Sequence, residues 1–373
     1  LSLIKAILNK VLGVFTGGIF LLLSLFIQSC GVGEGELEHI TYQPKAVKAP
    51  QPEGFVPMAI PADNPLTEEG IALGRRLFYD PILSADSSVS CASCHHPGLG
   101  FAEARPFSVG VQGRQGSRNA PSLVNIGFVY TGLFWDGRAL TLEEQALHPV
   151  TNPDEMGADW ARIEARLQRH PDYPAHFRRA FGITEPDQIN RDLLAKALAQ
   201  FQRTLVSADA RFDRVQRGEA AFTPEERRGW EIFFDFPGGL SMAECGHCHT
   251  DPLFTNLEYF NNGLDPAAKL KDLPDPGRGA VSGRRSDLGK FRTPSLRNIE
   301  LTAPYMHDGR FASLELVIDH YDQGGHQAEN VNPNVRPLHL SDRDKSDLIA
   351  FLRTLTDTSF VNNPKFKNPF HPE

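Results

Sequence analysis

Apolar residues recur at three- and four-residue spacing over residues 66–79, 142–149, 158–170, 189–207, 224–234, 314–321 and 341–354, and each stretch predicts an amphipathic helix. Thr67 and Ser341 stand where helix N-caps belong. Alternating, strand-like runs are few. The 28 prolines and 32 glycines fall mostly between the helical stretches, so short helices in loop-rich domains are expected rather than a long bundle.

The pattern also repeats. Arg76-Leu77-Phe78-Tyr79-Asp80 is answered by Glu231-Ile232-Phe233-Phe234-Asp235, and Ala120-Pro121-Ser122-Leu123 by Thr293-Pro294-Ser295-Leu296. Asp136-Gly137-Arg138 with Leu142-Glu143 returns as Asp308-Gly309-Arg310 with Leu314-Glu315. Asp192-Leu193-Leu194-Ala195 returns as Asp347-Leu348-Ile349-Ala350. Matches kept in the same order imply two homologous domains, with a boundary near residues 214–222.

A chain of 373 residues has room for both. The net charge of −8 gives no support for nucleic-acid binding. The five cysteines change the picture most. Four form Cys91-Ala-Ser-Cys94-His95 and Cys245-Gly-His-Cys248-His249, two C-x-x-C-H motifs. In such a motif the thiols form thioethers to haem vinyl groups and the adjacent imidazole ligates the iron. A single C-x-x-C could be a redox disulfide or half a zinc site; two copies of the longer motif, one per repeat, predict two covalently bound haem c groups. The expected fold is therefore mainly α, two homologous cytochrome c-like haem domains in tandem, at residues 53–218 and 219–373.

The fifth cysteine, Cys30, follows Lys5, Lys10, an apolar run over residues 11–27 and Ser29. This resembles a lipoprotein signal peptide over residues 1–30, with Cys30 lipidated after cleavage. An uncleaved anchor helix is the alternative, although the run is marginal for spanning. Either reading places the haem domains in the periplasm, tethered by residues 31–52. Gly31 offers no inner-membrane retention cue, which leans toward the outer membrane.

The halves differ where chemistry would differ. Asp308 lies 172 residues beyond Asp136, and the same offset carries Tyr321 back onto Pro149. Should this helix end face the distal side, the C-terminal iron meets a phenol and the N-terminal iron meets a proline, which has no ligating atom. Met306 competes as sixth ligand, and Tyr321 could instead be a packed aromatic. Glu155, in the turn beyond Pro149, is either a solvated carboxylate or the acid/base that moves a proton during O–O cleavage. Trp135, where the second half has His307, is either an electron relay or core packing.

Over residues 65–356 the chain resembles the bacterial di-haem cytochrome c peroxidase/MauG family, through segments 91–95, 118–125, 134–145, 245–249 and 291–310. The resemblance implies that the N-terminal haem reacts with hydrogen peroxide and the C-terminal haem transfers electrons. It makes Trp135 the inter-haem tryptophan and Glu155 the distal acid/base. It also implies a calcium ion between the domains, held by Asn119 and the backbone carbonyls of Thr302 and Pro304, an all-oxygen set suited to a hard cation.

Two departures from the peroxidase branch stand out. Where that branch has a second histidine capping the N-terminal iron until reduction, this chain has Val111; His96 and His148 are the only nearby histidines outside the motif. Where it has an axial methionine on the C-terminal iron, this chain has Tyr321, as in the MauG-like branch. A phenolate favours Fe(III) and lowers the potential. The expected enzyme reduces peroxide without reductive activation, drawing electrons from a small cytochrome c or copper protein. The alternative is MauG-like oxidation of Trp or Tyr residues on a partner protein. A non-enzymatic di-haem electron carrier would need both irons six-coordinate, against which Pro149, Val111 and Glu155 count. A homodimer is compatible with the family.

Overall fold

The computed structural model describes residues 35–237 and 242–371. Cys30, the apolar run before it and the first residues of the tether lie outside the described residues. Among the described residues no helix is long and apolar enough to cross a membrane. The structure is mainly helical: a single antiparallel pair, β1 (Tyr259–Phe260) and β2 (Phe291–Arg292), is the only sheet among the described residues.

Each half is built on one crossed helix pair. In the first, α1 (Glu68–Tyr79) packs on α5 (Arg191–Gln202). Thr67 caps α1 by accepting from the Gly70 N–H, and Glu68 and Glu69 occupy the electropositive first turn. The crossing is close because Gly74 faces the Ala197 carbonyl, which a Cβ would overlap. In the second, α7 (Pro224–Phe233) packs on α10 (Asp342–Arg353), and Gly229 meets the Asp347 carbonyl in the same way. Ser341 caps α10 by accepting from the Asp344 N–H.

Between the pairs lie α2 (Leu142–Thr151), α3 (Trp160–Gln168), α4 (Tyr173–Phe181), α6 (Arg211–Gln216), α8 (Arg278–Ser282) and α9 (Leu314–Asp322), with α11 (Thr358–Val361) near the C-terminus. Helix α2 runs through Pro149, whose missing N–H falls in the last turn, and ends at Thr151 rather than at the proline. The helix expected over 189–207 stops at Gln202, because the following backbone is claimed by Asn125. That residue donates its N–H to the Leu205 carbonyl at 2.8 Å and accepts from the Ser207 N–H at 2.9 Å. Helix α4 lacks a sequence signal, since His170-Pro171-Asp172 and Pro174 read as loop.

The repeat is written into the backbone. Asn125 and Asn298 both adopt left-handed φ, 58° and 60°, as do Phe101 and Phe254 at 55° and 54°, and Phe134 and Met306 at 64° and 76°. The cores are not simply consecutive, however. Phe78, Phe101 and Phe201 form the first with Phe360 and Phe366 from the end of the chain, while Phe212 joins Phe233, Phe254 and Phe351 in the second.

Candidate functional site

Both C-x-x-C-H motifs fold as one tight turn. The His95 N–H donates to the Cys91 carbonyl at 3.0 Å, and the His249 N–H to the Cys245 carbonyl at 2.9 Å, which brings two thiols and an imidazole to one rim. Each imidazole is then aimed by its own half. His95 Nδ1 bonds the Phe101 carbonyl at 2.8 Å, and His249 Nδ1 the Phe254 carbonyl at 3.0 Å. A carbonyl can only accept, so Nδ1 carries the proton and Nε2 presents its lone pair, the state an iron ligand needs. Burial lowers both imidazole pKa values to about 4, keeping the rings neutral at ordinary pH.

Each rim opens into a cavity. The first, about 350 Å³, is walled by Cys91, Cys94 and His95 on one side and by Gln145, Pro149 and Glu155 on the other. The second, about 260 Å³, runs from Cys245, Cys248 and His249 to Asn262, Met306 and Tyr321. A proximal nitrogen, paired thiols and an apolar slot in each half fit one haem c apiece.

The opposite walls differ. Pro149 on α2 and Tyr321 on α9 occupy matching places, since Thr141 and Ser313 cap the two helices equivalently. The Tyr321 hydroxyl accepts from Asn262 Nδ2 at 3.2 Å, and the Met306 sulfur lies 3.5 Å from the same nitrogen. Burial pushes the phenol pKa up to about 12, against the lowering influence of Asn262. In the first cavity, Glu155 accepts from Asn152 Nδ2 at 2.7 Å. Burial raises its pKa, opposed by Asn152 and by the positive charge of Arg138. Val111 is buried in the first core with its N–H on the Glu155 carbonyl at 2.8 Å. His96 and His148 are exposed and line neither cavity.

Asn119, Trp135 and Arg292 stand in a wall shared by both cavities. The Trp135 indole N–H donates to the Asn119 carbonyl at 2.8 Å, and the Trp135 carbonyl accepts from the Arg292 N–H at 2.8 Å. Nearby, Arg118 binds Asp275 through Nε and Nη2 at 2.7 and 2.8 Å and Asp136 through Nη1 at 2.6 Å, tying the halves together. Thr302 and Pro304 line the second cavity with Asn119, whose side-chain nitrogen donates to the Arg105 carbonyl at 2.8 Å.

Sequence reasoning missed Gln145, Asn262 and Arg292. Gln145 lies one helical turn before Pro149, so the face of α2 could have pointed to it. Asn262 sits in Asn261-Asn262-Gly263, which reads only as a turn. Arg292 precedes Thr293 as Asn119 precedes Ala120, so extending the repeat by one residue would have found it.

Comparison with known proteins bears on the same features. Residues 68–221 match the di-haem cytochrome c peroxidase family model. The chain is 41% identical over 298 residues to a methylamine utilization protein MauG of Methylorubrum extorquens, covering 79% of this chain and 80% of that protein. It is 34% identical over 346 residues to the cytochrome-c peroxidase IdrP1 of Denitromonas iodatirespirans, covering 85% and 89%. A solved MauG-like protein associated with microbial copper homeostasis superposes with a TM-score of 0.78 at 38% identity, over 87% of this chain and all of that one (100%). With its two haem-binding turns and its two cytochrome c-like domains, the chain belongs to the di-haem cytochrome c peroxidase family, whose members are peroxide-dependent oxidoreductases with two haem c groups.

Proposed function

We propose that this chain reduces hydrogen peroxide to water in the cavity beside His95, drawing electrons through the His249 haem from a small cytochrome c or copper protein. The observation that carries this reading is the contrast between the distal walls: Pro149 and Glu155 in one, Tyr321 and Asn262 in the other. Haem c, when bound, supplies the redox-active iron. Pro149 and Val111 offer that iron no ligand, which keeps room for a small oxidant. Glu155 takes the proton from one peroxide oxygen and delivers it to the other, which leaves as water; two electrons and two further protons complete the reduction to two waters. Asn152 orients the carboxylate for this transfer. With haem bound, Tyr321 would supply the second iron with a phenol ligand, and Trp135, in the common wall, would carry oxidising equivalents between the two sites.

Asn119 and the carbonyls of Thr302 and Pro304 supply oxygen donors for one calcium ion at the junction of the halves. The protein works in the periplasm, held to a membrane, in preference the outer one, by a lipid on Cys30, and can pair as a homodimer.

A second reading is favoured by Tyr321 itself. A phenolate-ligated haem is a poor acceptor from ordinary donors and better suited to sharing a strong oxidising charge, which would be spent on Trp or Tyr residues of a partner protein. One experiment separates them. Peroxide is added to the ferric holoprotein without prior reduction, and turnover of reduced cytochrome c is compared with oxidation of co-purified proteins. Both readings require high-spin and low-spin haem in the resting ferric spectrum; a low-spin-only spectrum with no response to peroxide overturns both.

A further inference from the structure

Buried arginines in this fold are supplied with carboxylates. Arg297, fully enclosed, forks onto Asp213 with both contacts at 2.8 Å, and Arg203 binds Glu143 at 2.7 and 3.0 Å. Arg292 departs from that rule. It is only 6% exposed, yet among the described residues it joins no ion pair. Its side-chain hydrogen bond runs from Nε to the Phe134 carbonyl at a long 3.4 Å. An uncompensated buried charge is costly, so the position calls for an anion.

Its location says which anion. Arg292 is one of the residues that line both cavities, and its N–H is tied to the Trp135 carbonyl at 2.8 Å, so its backbone is fixed in the dividing wall. Its counterpart in the first repeat is Asn119, also in that wall but neutral. The other arginines lining the first cavity, Arg118 and Arg138, are already paired with Asp136, so among the described residues Arg292 is the unpaired cation between the two sites. Each haem c brings two propionate carboxylates. A guanidinium offers five N–H donors in a planar fork, enough for two carboxylates approaching from opposite sides.

We propose that Arg292 is the common counter-ion of the two haems, its guanidinium binding one propionate carboxylate of each. Burial without an anion works against its charge, holding it below the usual arginine range, and bound propionates would restore it. This rests on the attachment of two haems and not on the peroxidase reading.

The test uses Arg292→Gln and Arg292→Lys as holoproteins, with the midpoint potential of each haem followed by spectroelectrochemical titration. A cation beside a haem disfavours Fe(III), so its removal should lower both potentials in Arg292→Gln, while Arg292→Lys shifts both less. Unchanged potentials, or a shift at one haem alone, overturn the proposal. Should Arg292→Gln fail to mature, infrared spectra of the wild-type holoprotein decide the question: the paired propionates should stay ionised through the neutral pH range, and their titration there would overturn it. The rate of the wild-type reaction with peroxide, measured separately, reports on the peroxidase reading and leaves this outcome unaffected.

Discussion

Trp135 is joined to Asn119 by an indole N–H donated to the backbone carbonyl at 2.8 Å, and Asn119 passes the connection on by donating its own N–H to the His307 carbonyl at 2.7 Å. His307 is the repeat counterpart of Trp135 and stacks on Phe291 at 3.7 Å between ring centres. The indole thus has a fixed orientation in the wall between the cavities.

Replacing Trp135 with Phe retains an aromatic body but removes the redox-active indole and its hydrogen bond. Peroxide should still react at the His95 haem, while the change in the low-spin electron paramagnetic resonance signal slows by about tenfold or more, equivalent to ~1.4 kcal/mol of barrier. An undiminished low-spin response in rapid-freeze samples would show that Trp135 is only packing.

Glu155→Gln should slow the reaction with peroxide by about a hundredfold or more, the usual lower range for a general acid/base. Because burial raises the Glu155 pKa and the ionised carboxylate is the base, the wild-type rate should fall as pH drops through that raised value. The variant should lose this limb. Stopped-flow rates across pH would reveal it; a variant that keeps both the rate and the limb removes Glu155 from the mechanism.

Tyr321→Phe should alter the low-spin ferric signal and leave the high-spin one as it was. Since Met306 lies beside the same Asn262 nitrogen, the variant is expected to acquire a methionine-like spectrum and a higher potential at the second haem. Magnetic circular dichroism distinguishes the two ligand sets. No change at either signal would mean that Tyr321 does not ligate.

The helix crossings allow a stability prediction. Gly74→Ala places a methyl group against the Ala197 carbonyl, and Gly229→Ala does the same at Asp347. Backbone cannot give way as a side chain can, so each should cost roughly 1–3 kcal/mol by overpacking, despite the better helix propensity of alanine. Urea titration of the holoprotein gives the value; a stabilised variant would mean that the helices move apart freely.

Much of this was legible from local sequence. C-x-x-C-H needs a single turn, and Thr67 and Ser341 act on residues three positions away, so one stretch of chain carries all the information. Comparing the repeats also brought Pro149 and Tyr321 to equivalent helix ends. What stayed hidden depends on distant partners. Asn262 matters because α9 and the Met306 loop converge on it, and Arg292 because no carboxylate among the described residues pairs with it. The early stop of α5 depends on Asn125, more than seventy residues upstream, which no helical periodicity within 189–207 can report.

Phe360 and Phe366 have a consequence for how far the two halves can be treated as separable modules. Their rings pack on Phe101 at 6.0 and 6.3 Å, and Phe101 supplies the carbonyl that orients His95. A fragment ending near residue 218 would keep the first haem-binding motif but lose these two side chains. At roughly 1.5–3 kcal/mol each, that loss is a large fraction of the roughly 5–15 kcal/mol by which a domain is stable. His95 is thus steadied by side chains far along the chain, so the first half reaches its working form only after Phe360 and Phe366 have been made.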